Sequence, residues 1–144
     1  MIKNVKITRV YAGAVAGFGD TLSSDILDMT GYEGVMFIAD LGDQAATAVA
    51  TLTAQQDTDA AGGTMATLTG SAIYTFAAAD GDDDLLVLDV YKPTERYIRA
   101  QLQRATANIT VKSIIAIQYG AMKAPVTQST TVLDSDLLVS PAEV

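Results

Sequence analysis

The chain has 144 residues, of which 17 are acidic and 9 are basic, and its formal net charge is −8. Nucleic-acid binding depends on Lys and Arg side chains that neutralise phosphates, so this charge argues against a nucleic-acid partner. The chain contains neither His nor Cys. Their absence excludes disulfides, Cys-ligated zinc and the Ser-His-Asp and Cys-His catalytic arrangements, and with them most hydrolytic chemistry.

Length and hydropathy favour one domain spanning residues 1–144, since a chain of this size can bury a single substantial core. Residues 1–6 lack the apolar stretch of a signal peptide. No window of the chain approaches the ~18 uninterrupted apolar residues of a membrane span. We therefore expect no membrane partner.

The basic residues are distributed unevenly. Lys3, Lys6 and Arg9 lie at the start, and the next basic residue is Lys92, so residues 11–91 carry acidic charges alone. One interpretation is that an acidic surface of one copy meets the basic first strand, or the basic C-terminal region, of another copy or a partner. The other is a solvated acidic surface that keeps the protein soluble.

The first predicted element is a strand at residues 2–10, where apolar and basic side chains are mixed. Its terminal position indicates either an edge strand or an arm exchanged between copies. Residues 12–20 contain three glycines among small residues and predict a loop, without the strand–turn–helix context of a phosphate-binding loop. Residues 24–29 fit a short capped helix or a strand, and we favour the strand.

The sequence of the middle of the chain predicts strands separated by Gly- and Asp-rich turns. Residues 34–41 are a nearly continuous apolar run, which is typical of a buried strand. Residues 45–56 alternate as a strand, although their alanines leave helix open as an alternative. Further strands are predicted at 65–68, 72–76 and 85–91, with an acidic turn at 80–84.

Residues 96–104 and 109–119 alternate between apolar and polar side chains and flank a short polar break, which predicts a β-hairpin. In the first segment Ile98, Ala100 and Leu102 share one face, and Arg99, Gln101 and Gln103 share the other. In the second segment one face is predicted to carry Ile109, Val111, Ile115 and Ile117.

Together these elements predict an all-β fold, an antiparallel β-sandwich or small barrel with little helix and with extended N- and C-terminal segments. Residues 121–144 contain Pro125, Pro141 and a Thr/Ser-rich stretch, and predict an extended C-terminal tail. Such a tail is longer than a strand in its own sheet requires, so it is expected to pack elsewhere.

Few residues are candidates for a chemical site. Asp80, Asp82 and Asp84 match the first three ligand positions of a calcium loop, but Leu85 and Tyr91 stand where that loop needs Gly and Glu. A solvated turn is therefore favoured. A glycosidase-type carboxylate pair is disfavoured because the chain has no Trp and few other aromatic residues to line a sugar cleft. We expect no enzyme activity, no metal and no cofactor.

Two stretches resemble small structural proteins of tailed bacteriophages that are encoded near the major capsid protein. The first comprises KPTERYIR at 92–99, RATAN at 104–108, IAIQYGA at 115–121 and KAP at 123–125; the second is LDMTGYEGVMF at 27–37. The resemblance implies a head decoration, or cement, protein. Such a protein is made in the host cytoplasm, binds the outer capsid surface of the virion as a homotrimer and clamps neighbouring capsomers.

The family has no residue-level contact motif, so partner-binding candidates come from position and charge alone. They are the basic residues of the first strand and the polar face of the predicted hairpin: Lys3, Lys6, Arg9, Arg99 and Gln101. Two alternatives stay open. One is a head–tail or tail structural component; the other is a carbohydrate- or receptor-binding β module that uses Tyr32, Tyr74, Tyr91 and Tyr97 for stacking.

Overall fold

The structure, a computed structural model, describes residues 2–78, 80 and 82–137. These residues form no helix, and their strands are antiparallel. The strands are β1 (Lys6–Tyr11), β2 (Ala14–Gly17), β3 (Asp20–Ser23), β4 (Leu27–Asp28), β5 (Gly34–Gln44), β6 (Val49–Asp57), β7 (Ala66–Thr67), β8 (Ala72–Thr75), β9 (Leu85–Tyr91), β10 (Tyr97–Ala105) and β11 (Ile109–Tyr119).

The strands form two sheets that pack face to face as a sandwich, which confirms the predicted fold class. Sheet A has the order β1-β11-β5-β9, with β2 also paired to β11. Sheet B has the order β3-β10-β6-β7, with β4 paired to β10 and β8 paired to β6. The long strands β5 and β11 are central in sheet A, and β6 and β10 are central in sheet B.

The core lies between the sheets and is built from alternate residues of the central strands. In β5 the buried side chains include Val35, Phe37, Ala39 and Leu41, while the residues between them are half-buried on the other face. In β10 the prediction that Ile98, Ala100 and Leu102 share the inner face is confirmed, since all three are fully buried. This period of two is the pattern of a strand with one face on a core.

The predicted hairpin at residues 96–119 is wrong. β10 pairs with β3, β4 and β6 in sheet B, whereas β11 pairs with β1, β2 and β5 in sheet A. Residues 106–108 therefore connect the two layers of the sandwich, and Thr106 adopts a φ of 71° in this connection. The alternation of apolar and polar residues indicates which face of a strand is buried, but it does not indicate which strand lies beside it.

A second correction concerns the inner face of β11. Ile109 and Val111 are buried as predicted, but the ladder with β5 shifts register between Val111 and Ser113. One extra residue reverses the alternation that follows. Ile114 and Ala116 therefore face the core, and the predicted core residues Ile115 and Ile117 lie on the opposite, outer face.

Most other predicted strands are confirmed, with shifts of up to four residues at their ends. The predicted loop at residues 12–20 is wrong, because β2 lies within it and β3 begins at its last residue. Residues 45–56 contain β6 rather than the alternative helix. Of residues 24–29, only Leu27 and Asp28 form a strand, because the Ser24 hydroxyl accepts the Ala100 N–H at 2.9 Å and interrupts the ladder along β10. β1 begins at Lys6 and pairs with β11 of the same chain.

The described part of the C-terminal tail, 121–137, contains no strand and runs along the outer edge of β1. The Ile7 N–H donates to Gln128 Oε1 at 2.9 Å, and Gln128 Nε2 donates to the carbonyls of Ile2 at 3.1 Å and Val5 at 2.7 Å. The Arg9 N–H donates to Thr131 Oγ1 at 3.0 Å. Side chains thus satisfy the edge of β1 where a further strand would otherwise pair.

Candidate interaction surface

The two outer faces of the sandwich differ in chemistry. Cross-strand register places side chains of β1, β11, β5 and β9 in rows on the outer face of sheet A, because directly paired residues share a face. One row contains Ile7, Ile117, Met36 and Asp89; the next contains Arg9, Ile115, Ile38 and Val87. Five of the six uncharged side chains in these rows are Ile or Val, and the sixth is Met.

We call this surface the apolar face and define it by seven side chains of sheet A: Ile7, Met36, Ile38, Leu85, Val87, Ile115 and Ile117. Leu85 is 61% exposed and Val87 is 45% exposed, and both lie on the end strand β9. The other five are half-buried by their neighbours within the sheet. Asp40, which pairs with Leu85, bounds the face at one end.

Tyr119 and Tyr91 bound the apolar face at its other end, where they pair with Gly34 from either side. A Cβ atom on Gly34 would clash with Oη and Cζ of Tyr119, so the absence of a side chain allows the Tyr119 ring to cross the sheet. The Tyr119 hydroxyl donates to Asp89 Oδ1 at 2.8 Å. Burial, together with this carboxylate, raises the pKa of Tyr119 to about 12.

The apolar face carries two charged side chains along its length, and they lie on opposite edges. Arg9 is exposed on β1, and Asp89 is exposed on β9. Between them the two central strands contribute Ile115, Ile38 and their apolar neighbours. The face is therefore positive at one edge, apolar in the middle and negative at the other edge.

The outer face of sheet B is polar by contrast. Its middle rows on the central strands β10 and β6 contain Thr, Gln and Arg: Thr51, Thr53, Gln55, Arg99, Gln101 and Gln103. Apolar side chains lie toward one end of this face, where Val49 pairs with Ala105 and the exposed Ile73 of β8 pairs with Thr51. Arg99 Nε donates to Gln55 Oε1 at 2.8 Å, and Gln101 Nε2 donates to Ser23 Oγ at 3.1 Å. These hydrogen bonds run along the surface, so the central part of this face needs no apolar cover.

The structure does not bring the five predicted partner-binding residues together. Arg99 and Gln101 lie on the outer face of sheet B, on the side of the molecule opposite Arg9. Lys6 pairs with Gln118 and lies on the inward-facing side of β1, while Lys3 is exposed before the strand and its carbonyl accepts the Val126 N–H at 2.8 Å. The basic residues of the first strand thus divide between the two faces of sheet A.

The carboxylates of the acidic turn accept hydrogen bonds from neighbouring residues, and Gln44 donates to two of them, through its N–H to Asp82 at 3.4 Å and through its side chain to Asp84. Asp80 accepts the Tyr74 hydroxyl at 3.1 Å and the Ala77 N–H at 2.7 Å, while Asp83 pairs with Lys112. Asp84 accepts Gln44 Nε2 at 3.0 Å. Among residues 2–78, 80 and 82–137, no three acidic side chains converge on a point where they could hold a metal ion.

The four tyrosines considered for carbohydrate stacking also lie apart. Tyr91 is on the outer face of sheet A, and Tyr97 is on the outer face of sheet B. Tyr74 packs edge-on against Phe76, with ring centroids 5.0 Å apart. Tyr32 is half-buried against the core, and its burial raises the pKa of its hydroxyl.

Sequence reasoning missed the apolar face, although a signal was present. The nearly continuous apolar run at residues 34–41 predicts a strand buried inside the domain, with cover on both of its faces. The structure covers only the face that carries Phe37. The other face, with Met36 and Ile38, points away from the second sheet.

The fold is thus an all-β, two-sheet antiparallel sandwich, and its most distinctive surface is the apolar face of sheet A. No protein-family model matches the chain. No curated protein matches its sequence. A solved structure described as Eiger TNF from S. frugiperda is similar over 94% of this chain and 100% of its own, with 7% identity and a TM-score of 0.38. A likeness at that TM-score says nothing about what this chain binds.

Within the described residues, no helix has the length and apolar character needed to cross a membrane.

Proposed function

We propose that the chain is a structural virion protein, a head decoration protein that binds the outside of an expanded phage capsid as a homotrimer and stabilises contacts between capsomers. Its partners are further copies of itself and the major capsid protein. The resemblance of residues 27–37 and 92–125 to small phage structural proteins supports this proposal. So does the surface chemistry, because a sandwich with one apolar outer face is suited to assembly with other proteins.

The apolar face is the single observation that carries an assembly function. An isolated sandwich needs apolar side chains only between its sheets, and its outer faces are normally polar. Sheet B follows that rule through Gln101, Gln103 and their neighbours, whereas Ile38, Val87 and their neighbours on sheet A do not. Burial against another protein is the usual explanation for such a patch.

The polar outer face of sheet B is then available for the capsid. Its hydrogen-bonding side chains, including Arg99 and Gln101, can change partners from their neighbours Gln55 and Ser23 to groups on a capsomer with little net cost. This assignment keeps Arg99 and Gln101 as capsid-binding candidates and gives the two outer faces different partners.

The test is binding to phage heads that lack the protein. Purified protein should sediment with expanded heads, should bind unexpanded heads at least about tenfold more weakly and should raise the temperature at which expanded heads rupture. Arg99→Ala combined with Gln101→Ala should weaken binding, while Lys123→Ala serves as a control in the tail. No binding to expanded heads would overturn the proposal.

Imaging of labelled protein on intact virions distinguishes the head surface from the alternative positions. A label distributed over the capsid surface supports decoration. A label confined to the head–tail junction or the tail would instead identify a component of that part of the particle. A carbohydrate- or receptor-binding role is less well supported, because the exposed Tyr91 and the half-buried Tyr97 lie on opposite outer faces.

A further inference from the structure

We infer that the apolar face of sheet A is the surface through which copies of this chain pack together, with the β1 side of one copy against the β9 side of the next. The inference rests on the proposed function for the number of copies, a closed ring of three. The surface itself is assigned from the geometry of sheet A alone.

The size of the apolar face is the first argument. Four strands about 4.8 Å apart, each contributing about seven residues of about 3.4 Å, span roughly 450 Å² of flat area. Patches of this size on soluble proteins commonly mark an interaction site. In a closed ring of three, each face is shared between two neighbours, so the three faces together bury roughly 1,350 Å². This total lies within the range of about 1,200–2,000 Å² that specific interfaces bury. The face is therefore large enough to hold the ring together.

The charge pattern identifies the occupant as another copy. Arg9 and Asp89 lie on opposite edges of the same face, in neighbouring rows of the sheet. When the faces of several copies surround a common axis, the β1 edge of each copy adjoins the β9 edge of the next. That arrangement brings Arg9 beside Asp89 of the neighbouring copy, and the apolar centres meet at the axis. The face is thus complementary to itself in charge as well as in polarity.

The edge of β1 argues against an alternative in which copies join by adding a strand to sheet A beside β1. Gln128 and Thr131 already occupy backbone groups of Ile7, Val5 and Arg9 on that edge. A strand from another copy would have to displace four side-chain hydrogen bonds made by these two residues. Contact through side chains of the apolar face displaces none of them, so we favour face packing over exchange of residues 1–10.

Sedimentation equilibrium of the full chain tests the inference. The wild-type protein should have the mass of an oligomer, and Ile38→Lys should weaken association at least about a hundredfold, because it places a charge inside the contact. Gln103→Lys is the matched control, since it adds the same charge to the exposed outer face of sheet B. It should leave the mass unchanged. Cooperative thermal unfolding of each variant shows that it is folded.

Charge reversal tests the pairing of the two edges. Arg9→Glu and Asp89→Lys should each weaken association at least about tenfold, and the double variant should recover most of that loss. Tyr119→Phe controls for the hydrogen bond that Asp89→Lys also removes, and it should keep the wild-type mass. If the single substitutions weakened association only by destabilising the monomer, combining them would not restore it.

Three outcomes would overturn the inference: a wild-type monomer at protein concentrations of about 100 μM, an Ile38→Lys variant that is folded and keeps the oligomer mass, or a double variant no better than either single one. None of these measurements involves a capsid. Failure of self-association through this face is therefore distinguishable from failure to bind expanded heads, and an oligomer of another size would revise only the number of copies.

Discussion

The guanidinium of Arg104 and the carboxylate of Asp20 form a two-point ion pair, with Nε 2.8 Å from Oδ1 and Nη2 2.5 Å from Oδ2. Nη1 of Arg104 also donates to the carbonyls of Val15 at 2.7 Å and Ile109 at 2.8 Å. The Arg104 side chain is only 5% exposed. One buried side chain of sheet B thereby links β3 of its own sheet to β2 and β11 of sheet A.

Asp20→Asn should destabilise the fold, because it removes the carboxylate that forms an ion pair with the buried Arg104 guanidinium. Asp20 is itself partly exposed, so we expect a loss of about 1–3 kcal/mol in the free energy of unfolding. Urea denaturation measures it. Arg96→Ala is the comparison, since it breaks a two-point ion pair with Asp28 in which both side chains are exposed. It should change stability far less, and equal losses for the two variants would contradict the role of burial.

Acid should destabilise the protein through three aspartates. The hydrogen bond from Arg104 lowers the pKa of Asp20, the hydrogen bond from Arg96 lowers the pKa of Asp28, and backbone N–H donors led by that of Asp59 lower the pKa of Asp57. Carboxylates with depressed pKa values stabilise the fold above their ordinary value of 3.8 and lose that contribution as pH falls through the folded-state values.

The urea midpoint should therefore be nearly constant between about pH 5 and 7 and should fall between about pH 4 and 2. Asp57→Asn should flatten this fall, because Asn does not titrate. An acid dependence unchanged in that variant would show that Asp57 does not contribute to it.

Alkali should destabilise the protein through Tyr119, whose pKa burial and Asp89 raise from 10.0 to about 12. A raised pKa contributes stability that is complete below the unfolded-state value and is lost as pH rises through the folded-state value. Stability should thus fall between about pH 10 and 12. The tyrosinate absorbance of wild type minus that of Tyr119→Phe should show one titration step near 12, and a step near 10 would contradict the burial of this hydroxyl.

Gln128→Ala should release the outer edge of β1. It removes one acceptor for the Ile7 N–H and two donated hydrogen bonds to the carbonyls of Ile2 and Val5. We expect a loss of about 1–2 kcal/mol and faster hydrogen exchange at the Ile7 amide. Gln103→Ala, on the exposed outer face of sheet B, is the control. Unchanged exchange at Ile7 would mean that the tail does not protect this edge in solution.

Strand positions were predictable because a strand beside a core alternates with a period of two. Residues 96–104 alternate between apolar and polar side chains, and residues 85–91 are strongly apolar. The structure has strands at both places, at 97–105 and 85–91. The same rule failed within β11, where the bulge after Val111 reverses the alternation and moves Ile115 and Ile117 to the outer face. A bulge depends on the partner strand, so local sequence does not reveal it.

The buried Arg104 could have been expected from the same alternation. It continues the inner set of Ile98, Ala100 and Leu102 two residues further along β10, and its burial follows from that position. Its partner Asp20 could not have been expected, because the two residues are 84 positions apart in the chain. Ion pairs at such separations depend on which strands become neighbours.

The sequence by itself determined the class of the fold, since alternating apolar residues between Gly- and Asp-rich turns bury one face of a strand and end it. Only the tertiary structure decided that β10 and β11 belong to different sheets, because a short connection can turn back along one sheet or cross to the other with the same local pattern. That choice placed Ile38, Ile115 and Val87 together on one outer face. An apolar surface of this kind exists only once the strands are paired, since its residues come from strands that are far apart in the chain.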